Sequence, residues 1–198
     1  MEYSRIGSFN LHMFERVATA IPEVALIQPQ VFRDARGFFL ESYHSAKFAA
    51  IGIPDIFVQD NHSRSAKHTL RGLHYQFLHP QAKLCRVVRG EVLDVAVDVR
   101  RGSPTFGQHV SAILSAENMR QMYVPIGFAH GFLALTDEAE FIYKCSDVYD
   151  PAGEQGIHWA DPDLAIDWCN VQPIVSDKDA DNPRLAQLPP ERLFEYRR

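Results

Sequence analysis

The chain has 198 residues and a formal net charge of −5, with 46% hydrophobic and 23% charged residues. This composition excludes a largely disordered chain and is typical of a globular protein with a substantial core, and the length suits one domain better than two. The acidic balance argues against nucleic acid as a partner. Any anionic ligand must therefore meet a local cluster of arginine and lysine side chains.

The cysteine content and the first residues predict a cytoplasmic location. The sequence Ala18-Thr19-Ala20 resembles a signal-peptidase site, but charged residues interrupt the segment before it, where a signal peptide needs an apolar run. No stretch approaches the roughly 18 apolar residues of a membrane span, so we expect no membrane partner. Cys85, Cys145 and Cys169 are too few and too scattered for a disulfide framework, and they lack the Cys-x-x-Cys spacing of zinc sites.

The domain organisation is expected to be simple. We expect residues 1–20 to be an N-terminal extension that is partly disordered, and residues 21–198 to form one domain. A short helix is predicted over 46–50, with Ser45 as its N-cap and Gly52 ending it. A last short helix, broken by Pro189-Pro190, is expected within 184–198.

Short β-strands with turn residues between them dominate the rest of the chain. The clearest is 94–100, where three valines alternate with Asp94, Ala96, Asp98 and Arg100, so that the two sets face opposite sides. This pattern predicts an all-β fold, a cupin-like jelly-roll barrel with a few short helices at its periphery. The other predicted strands are 24–27, 31–32, 38–43, 84–88, 109–114, 121–124, 131–135 and 140–143.

One heptapeptide, residues 70–76, combines the groups needed for proton chemistry on an anionic substrate. Arg71 offers a permanent cation in a fixed fork, and His74 is the side chain whose ordinary pKa lies near neutrality. The alternative is a structural histidine beside two leucines, which is the more frequent role of such a residue in isolation.

A barrel of this kind also raises the question of a metal. Cupin metal sites usually draw on a His-x-His pair, but Gln76 stands where the second histidine would follow His74. Residues 125–131 are similar to the second cupin motif and place His130 at a barrel mouth. Because three or four ligands are needed, the sequence does not favour a metal site.

Proton transfer next to a ketone fits these residues better. It requires a base on one face of a carbon, an acid on the other and a group that stabilises the enolate oxygen. His74 is a candidate base and Tyr143 a candidate acid, although a core or interface role is the commoner one for a tyrosine. The pattern alone does not choose among the candidate anion-binding residues Arg36, Arg71, Lys83 and Lys178.

Several separate stretches together resemble the dTDP-4-dehydrorhamnose 3,5-epimerase family, in order and spacing from about residue 21 to about residue 179. The resemblance implies a jelly-roll homodimer without cofactor or metal that converts dTDP-4-dehydro-6-deoxy-D-glucose to dTDP-4-dehydro-L-rhamnose through an enolate. The stretches are 31–43, 59–63, 70–76, 83–84, 90–98, 103–107, 114–118, 125–132 and 143–144.

The resemblance also implies roles for individual residues. His74 matches the family's base, Asp179 the carboxylate that orients it, and Tyr143 the acid on the opposite face. Lys83 and His130 match polar residues around the sugar. The positions that match contacts to the dTDP portion or its surroundings, some of them across the dimer, are Arg36, Glu41, Gln59, Asp60, Asn61, Arg71, Glu154 and Lys178.

Three alternatives stay open at this point. Relatives on the same scaffold act at one carbon or on other nucleotide-linked 4-ketosugars. A non-catalytic sugar-nucleotide-binding cupin needs Arg71 and Lys83 but has no use for Tyr143. A metal-dependent cupin oxygenase requires bound iron. Ala82 stands where the family often has glycine before the lysine, and Val148 where some members have an aromatic residue, which affects loop shape and sugar selectivity.

Overall fold

A computed structural model describes residues 13–196. In this part of the chain, fifteen strands dominate and the two α-helices are short, α1 at Ser45–Ala50 and α2 at Asp177–Ala180. The strands are β1 Phe14–Ala18, β2 Ala25–Pro29, β3 Val31–Asp34, β4 Gly37–Leu40, β5 Gln59–Ala66, β6 Leu70–Gln76, β7 Lys83–Arg89, β8 Glu91–Asp98, β9 Arg100–Arg101, β10 His109–Ser115, β11 Gln121–Val124, β12 Phe128–Ala134, β13 Glu138–Cys145, β14 Glu154–Gly156 and β15 Phe194–Glu195.

Two main sheets form the barrel. The six-stranded sheet has the order β1-β2-β11-β7-β13-β5, and the five-stranded sheet has the order β10-β8-β12-β6-β14. Pairing within both sheets is antiparallel, and many neighbours are distant in sequence, as in a jelly roll. The predicted all-β, cupin-like fold is confirmed. None of the helices in residues 13–196 has the length and apolar character needed to cross a membrane.

The main core lies between the two sheets. It contains Val87 on β7, Val110 on β10, Met122 on β11, Phe132 on β12 and Phe141 on β13, all of them buried. Because side chains alternate along each strand, every one of these strands sends its other side chains to the outer face of its sheet. The alternation therefore decides which residues line the barrel interior.

Both faces of β8 are buried. Val95 and Val97 pack outside the five-stranded sheet against the C-terminal segment, in a cluster that includes Leu164, Trp168 and Leu185. Asp94 and Asp98 alternate with these valines, as predicted, and are fully buried. Asp98 stays charged there because Arg100, Ser103 and Thr105 donate hydrogen bonds to it.

The ends of the chain differ from the expectations. Phe14–Ala18 is a strand paired with β2, so the chain joins the sheet before the boundary expected at residue 21, whereas residues 1–12 lie outside the described residues. At the other end, Pro189 lacks an amide hydrogen and precedes a second proline, and the segment forms two 3₁₀ turns and β15. Helix α1 begins at Ser45, with His44 rather than Ser45 as its N-cap.

Candidate active site

A cavity of about 520 Å³ lies between the two sheets. Strands β6 and β12 contribute His74 and His130 from one sheet, and β7 and β13 contribute Lys83 and Tyr143 from the other. The C-terminal segment closes one side with residues 174–179. With Ser63 of β5, residues from six separate parts of the sequence face one space, and they include the three predicted catalytic residues, His74, Tyr143 and Asp179.

His74 and Asp179 form a hydrogen-bonded pair. His74 Nε2 lies 2.6 Å from Asp179 Oδ1, and the Gly72 amide donates to Asp179 Oδ2 at 3.3 Å. Asp179 is held in turn by helix α2, because the Ser176 hydroxyl caps the helix by accepting from the Asp179 amide. Burial acts to raise the pKa of Asp179, but the bonds from His74 and Gly72 outweigh it and leave the pKa below its ordinary value.

Gly72, two residues before His74, allows the two strands that carry histidines to approach closely. A Cβ at Gly72 would lie 2.5 Å from Gly131 Cα, so no other residue fits there without moving the backbone. Strands β6 and β12 pair with an irregular register at this point, and His74 lies opposite His130. The sequence Arg-Gly-Leu-His is thus explained by packing as well as by chemistry.

Lys83 and Tyr143 form the opposite wall. Tyr143 pairs with Cys85 across β13 and β7, so Lys83, two residues before Cys85, points into the barrel from the same sheet face. Lys83 Nζ lies 5.9 Å from the centroid of the Tyr143 ring and donates to the His74 carbonyl at 3.4 Å. Burial raises the pKa of Tyr143 to about 12, so its phenol keeps its proton at neutral pH.

His130 lies on the floor of the cavity in a second histidine–aspartate pair. Its Nε2 lies 2.7 Å from Asp94 Oδ1 and 3.6 Å from the Cys85 sulfur. All three residues are buried. This pair orients the imidazole at the cavity wall, which suits the predicted role of His130 beside the sugar.

The cavity continues into a second pocket of about 250 Å³ that shares His74, Lys83 and Tyr143. Its polar lining includes three predicted binding residues, Gln59, Asn61 and Glu154. Glu154 accepts from Lys178 at 2.5 Å and from Tyr149 at 2.7 Å. Burial acts to raise the pKa of Glu154, but these hydrogen bonds hold it below its ordinary value.

Arg71 lies where the cavity opens beside β5. Its Nε donates to the Ser65 hydroxyl at 3.1 Å, and its Nη2 donates to the Arg64 carbonyl at 3.4 Å. Arg71 and Lys178 both line the cavity, and the remaining guanidinium donors of Arg71 suit an anionic group.

Three predicted binding residues lie elsewhere in their own chain. Arg36 is on the exposed β3–β4 hairpin and pairs with Asp34, and Glu41 pairs with Lys47 of α1. Asp60 points to the outer face of the six-stranded sheet because it alternates with Gln59 and Asn61, and its carboxylate meets Lys144 there. Their predicted contacts to a ligand stay predictions.

The sequence reasoning missed other residues of the site. Ser63 and Ser65 share the inner face of β5 with Gln59 and Asn61, so the whole inner face of this strand is polar. A period-two polar pattern over 59–65 was the available signal, but a strand without apolar residues is not detected by hydrophobic alternation. Alternation predicts only the strand face of Asp94, and no pattern in the sequence indicates that its carboxylate meets His130.

The fold and the site together define a class of protein. A jelly-roll barrel places an imidazole–carboxylate pair and a protonated phenol on opposite walls of one cavity, with cations at its entrance. These are the parts of an isomerase that moves protons on an anionic sugar or a similar substrate.

Comparisons with known proteins identify the family. The model of the dTDP-4-dehydrorhamnose 3,5-epimerase family matches residues 18–187. A dTDP-4-dehydrorhamnose 3,5-epimerase from Pseudomonas aeruginosa is 57% identical over 169 residues, which cover 84% of this chain and 93% of that protein. The chain belongs to the dTDP-4-dehydrorhamnose 3,5-epimerase family.

Solved structures agree. The Legionella pneumophila 3,5-epimerase in complex with dTDP-4-keto-L-rhamnose is similar with a TM-score of 0.91 and 50% identity, covering 93% of this chain and 100% of that one. A 3'-monoepimerase from Streptomyces bikiniensis in complex with dTDP-quinovose is similar with a TM-score of 0.80 and 38% identity. The similarity covers 85% of this chain and 87% of that one. Proteins similar to this chain are thus named for epimerisation at one carbon as well as at two.

The depressed pKa of Asp179 predicts a pH-dependent contribution to stability. Such a group stabilises the fold above its unfolded-state pKa, near 4, and this contribution is lost as the pH falls through the lower folded-state value. We therefore expect the difference in free energy of unfolding between the wild type and Asp179→Asn to be largest at neutral pH and to shrink below about pH 4.

Urea denaturation at about pH 7, 5 and 3 measures this difference. Asp177→Asn is the matched control, because Asp177 is an exposed residue on the same short helix. A difference that stays constant across this range would contradict the assignment.

Proposed function

We propose that the chain epimerises dTDP-4-dehydro-6-deoxy-D-glucose at carbons 3 and 5 and yields dTDP-4-dehydro-L-rhamnose. The observation that carries this proposal is the placement of His74 with Asp179 on one wall of the cavity and of Tyr143 with Lys83 on the other. Membership of the family supports the same substrate and reaction. Carbons 3 and 5 both lie next to the carbon 4 ketone, so one chemistry serves both.

The proposed mechanism moves a proton across the sugar. His74 takes the proton from carbon 3 or carbon 5, and Asp179 stabilises the imidazolium that forms. The electron pair of the broken C–H bond moves to the carbon 4 oxygen, where the Lys83 ammonium stabilises the enolate. Tyr143 then protonates the same carbon from the opposite face, and solvent restores both residues. No step needs a cofactor.

The neutral state of Tyr143 is essential to this assignment. A phenol with a pKa of about 12 is protonated at neutral pH, and an enolate is basic enough to take its proton. A binding protein without catalysis would gain nothing from placing such a phenol opposite a histidine–aspartate pair. Arg71 and Lys178 are proposed to bind the diphosphate, and Gln59, Asn61 and Glu154 to contact the rest of the nucleotide.

We propose that the active form is a homodimer. The β3–β4 hairpin exposes Phe32, Phe38 and Phe39, with exposed fractions of 46%, 59% and 68%. Apolar side chains of this size on one short hairpin are typical of an interface. Arg36 at the tip of the hairpin and Glu41 just after it do not line the cavity of His74 and Tyr143 in their own chain, so they are proposed to reach the partner's cavity. A cytoplasmic location, supported by the three free cysteines, is also proposed.

The alternative function is epimerisation at a single carbon. The similarity to the Streptomyces bikiniensis 3'-monoepimerase supports it, because that protein shares the scaffold. The histidine–aspartate pair and the phenol serve either outcome, and the shape of the cavity around the sugar decides between them.

The proposed roles of His74 as base and Tyr143 as acid predict that a substitution at either residue lowers turnover. His74→Asn removes the base and Tyr143→Phe the acid, so each should lower the rate of product formation by on the order of 10²- to 10⁴-fold. Turnover of dTDP-4-dehydro-6-deoxy-D-glucose, coupled to the NADPH-dependent reductase that consumes the product, measures both. Tyr123→Phe is the control, because Tyr123 is a buried tyrosine that bonds to Asp55 outside the cavity.

Full turnover by Tyr143→Phe would contradict the assignment of Tyr143 as the acid. An equal loss in Tyr123→Phe would show that a general loss of packing, rather than the chemistry, explains the effect.

The dimer proposal predicts complementation between inactive variants. In a dimer of one His74→Asn and one Arg36→Ala chain, one cavity carries both changes and the other carries neither. Random mixing makes half of the dimers mixed, so a mixture refolded together should regain about a quarter of wild-type turnover. The baseline is the turnover of each variant refolded alone and the sum of these two values. No recovery, with mixed dimers detected by mass spectrometry, would place Arg36 outside the partner's cavity.

A further inference from the structure

A buried group of three metal-binding side chains lies beneath the cavity. Cys85 reaches it from β7 of the six-stranded sheet, and Asp94 and His130 reach it from β8 and β12 of the five-stranded sheet. One ligand atom from each residue lies within 4.8 Å of the other two, and all three residues are buried. The proposed epimerase mechanism uses His130 beside the sugar and gives no role to Cys85.

The distances suit a tetrahedral cation. Zinc binds sulfur at about 2.3 Å and imidazole nitrogen at about 2.0–2.1 Å, so two such ligands at the tetrahedral angle lie about 3.5 Å apart. The observed distance between the Cys85 sulfur and His130 Nε2 is 3.6 Å. His130 Nε2 and Asp94 Oδ1, at 2.7 Å, now share a hydrogen bond and must separate slightly to accept an ion.

Asp94 provides a second and independent sign of a ligand. Its Oδ2 atom is buried and has no hydrogen-bond partner among the described residues. A buried carboxylate oxygen without a partner is costly, and a cation satisfies it. Sulfur, nitrogen and oxygen donors in one set are the ligands that zinc and cobalt accept.

An ion can reach the cluster through the cavity, because His130 belongs to both. Burial raises the pKa of the Cys85 thiol well above its usual range, and the Asp94 charge acts in the same direction, so the resting thiol is protonated. An incoming ion therefore displaces the thiol proton to solvent and binds His130 at Nε2 with the ring proton on Nδ1, without any change of oxidation state.

We propose that Cys85, Asp94 and His130 form an inhibitory binding site for a thiophilic divalent cation such as Zn²⁺. The ion takes the three side chains as ligands and replaces the hydrogen bond between His130 and Asp94 that orients the imidazole at the cavity wall. This set differs from the His-x-His arrangement of cupin metal sites, for which Gln76 stands in place of the second histidine. Binding is reversible, because three protein ligands leave a coordination position open to a chelator.

Cobalt provides a test that does not depend on activity. Co²⁺ bound to a thiolate produces a near-ultraviolet charge-transfer absorption. We expect this absorption when Co²⁺ is added to the wild type and to Cys169→Ser, and its loss in Cys85→Val. Cys169 is the matched control because it is the exposed cysteine of the chain, whereas Cys85 is buried. Where Cys85→Val fails to fold by circular dichroism, Cys85→Ser replaces it.

Inhibition provides the second readout and rests on the proposed function. Loss of a partner around a metal site commonly costs 10- to 100-fold in affinity, so Cys85→Val should raise the inhibitory Zn²⁺ concentration by at least about tenfold. A chelator should restore wild-type turnover. Absence of the cobalt absorption, or its persistence in Cys85→Val, would overturn the site even if the chain has no epimerase activity. Equal inhibition of both proteins would overturn the inhibitory role.

Discussion

The structure depends on the hydrogen bond between His74 and Asp179, which joins positions 105 residues apart. The C-terminal segment reaches Asp179 by pairing along β6, where Leu70 and His68 exchange backbone hydrogen bonds with Ile174. The Ser176 cap then fixes the first turn of α2 and turns the carboxylate toward the imidazole. The C-terminal segment, which lies over the five-stranded sheet, thus orients the base.

The barrel makes this arrangement effective because its two sheets supply different groups. One sheet carries both histidines, and the other carries Lys83 and Tyr143. Buried apolar side chains such as Phe132 and Phe141 border the same cavity and limit the access of water. Low polarity around a fixed set of donors strengthens each electrostatic interaction and keeps the Tyr143 phenol protonated.

Local sequence patterns predicted the fold well, because alternating side chains and turn residues are signals within each strand and its neighbouring turns. Val95, Val97 and Val99 fell on one face as expected, whereas β5 was not detected as a strand from alternation because its inner face is polar. The site was harder to predict from patterns. No local signal connects His74 with Asp179, and only the resemblance to the epimerase family brought them together before the structure did.

The direction in which a side chain points was the least predictable property. Asp60 lies between two residues of the cavity and faces away from it, because neighbouring residues in a strand point to opposite faces. Arg36 and Glu41 lie apart from the cavity for a different reason, since they belong to a hairpin and its continuation outside the barrel. A single chain does not contain the surface that such a hairpin would meet.

Proton exchange with solvent tests the central claim most directly. The wild-type protein is incubated in deuterated water with dTDP-4-dehydro-6-deoxy-D-glucose, and proton NMR follows the signals of carbons 3 and 5. If His74 removes protons next to the ketone, the signals at both carbons should disappear as deuterium enters. Exchange at one carbon would establish a single-site epimerase, and no exchange at either carbon would contradict the proton-transfer account.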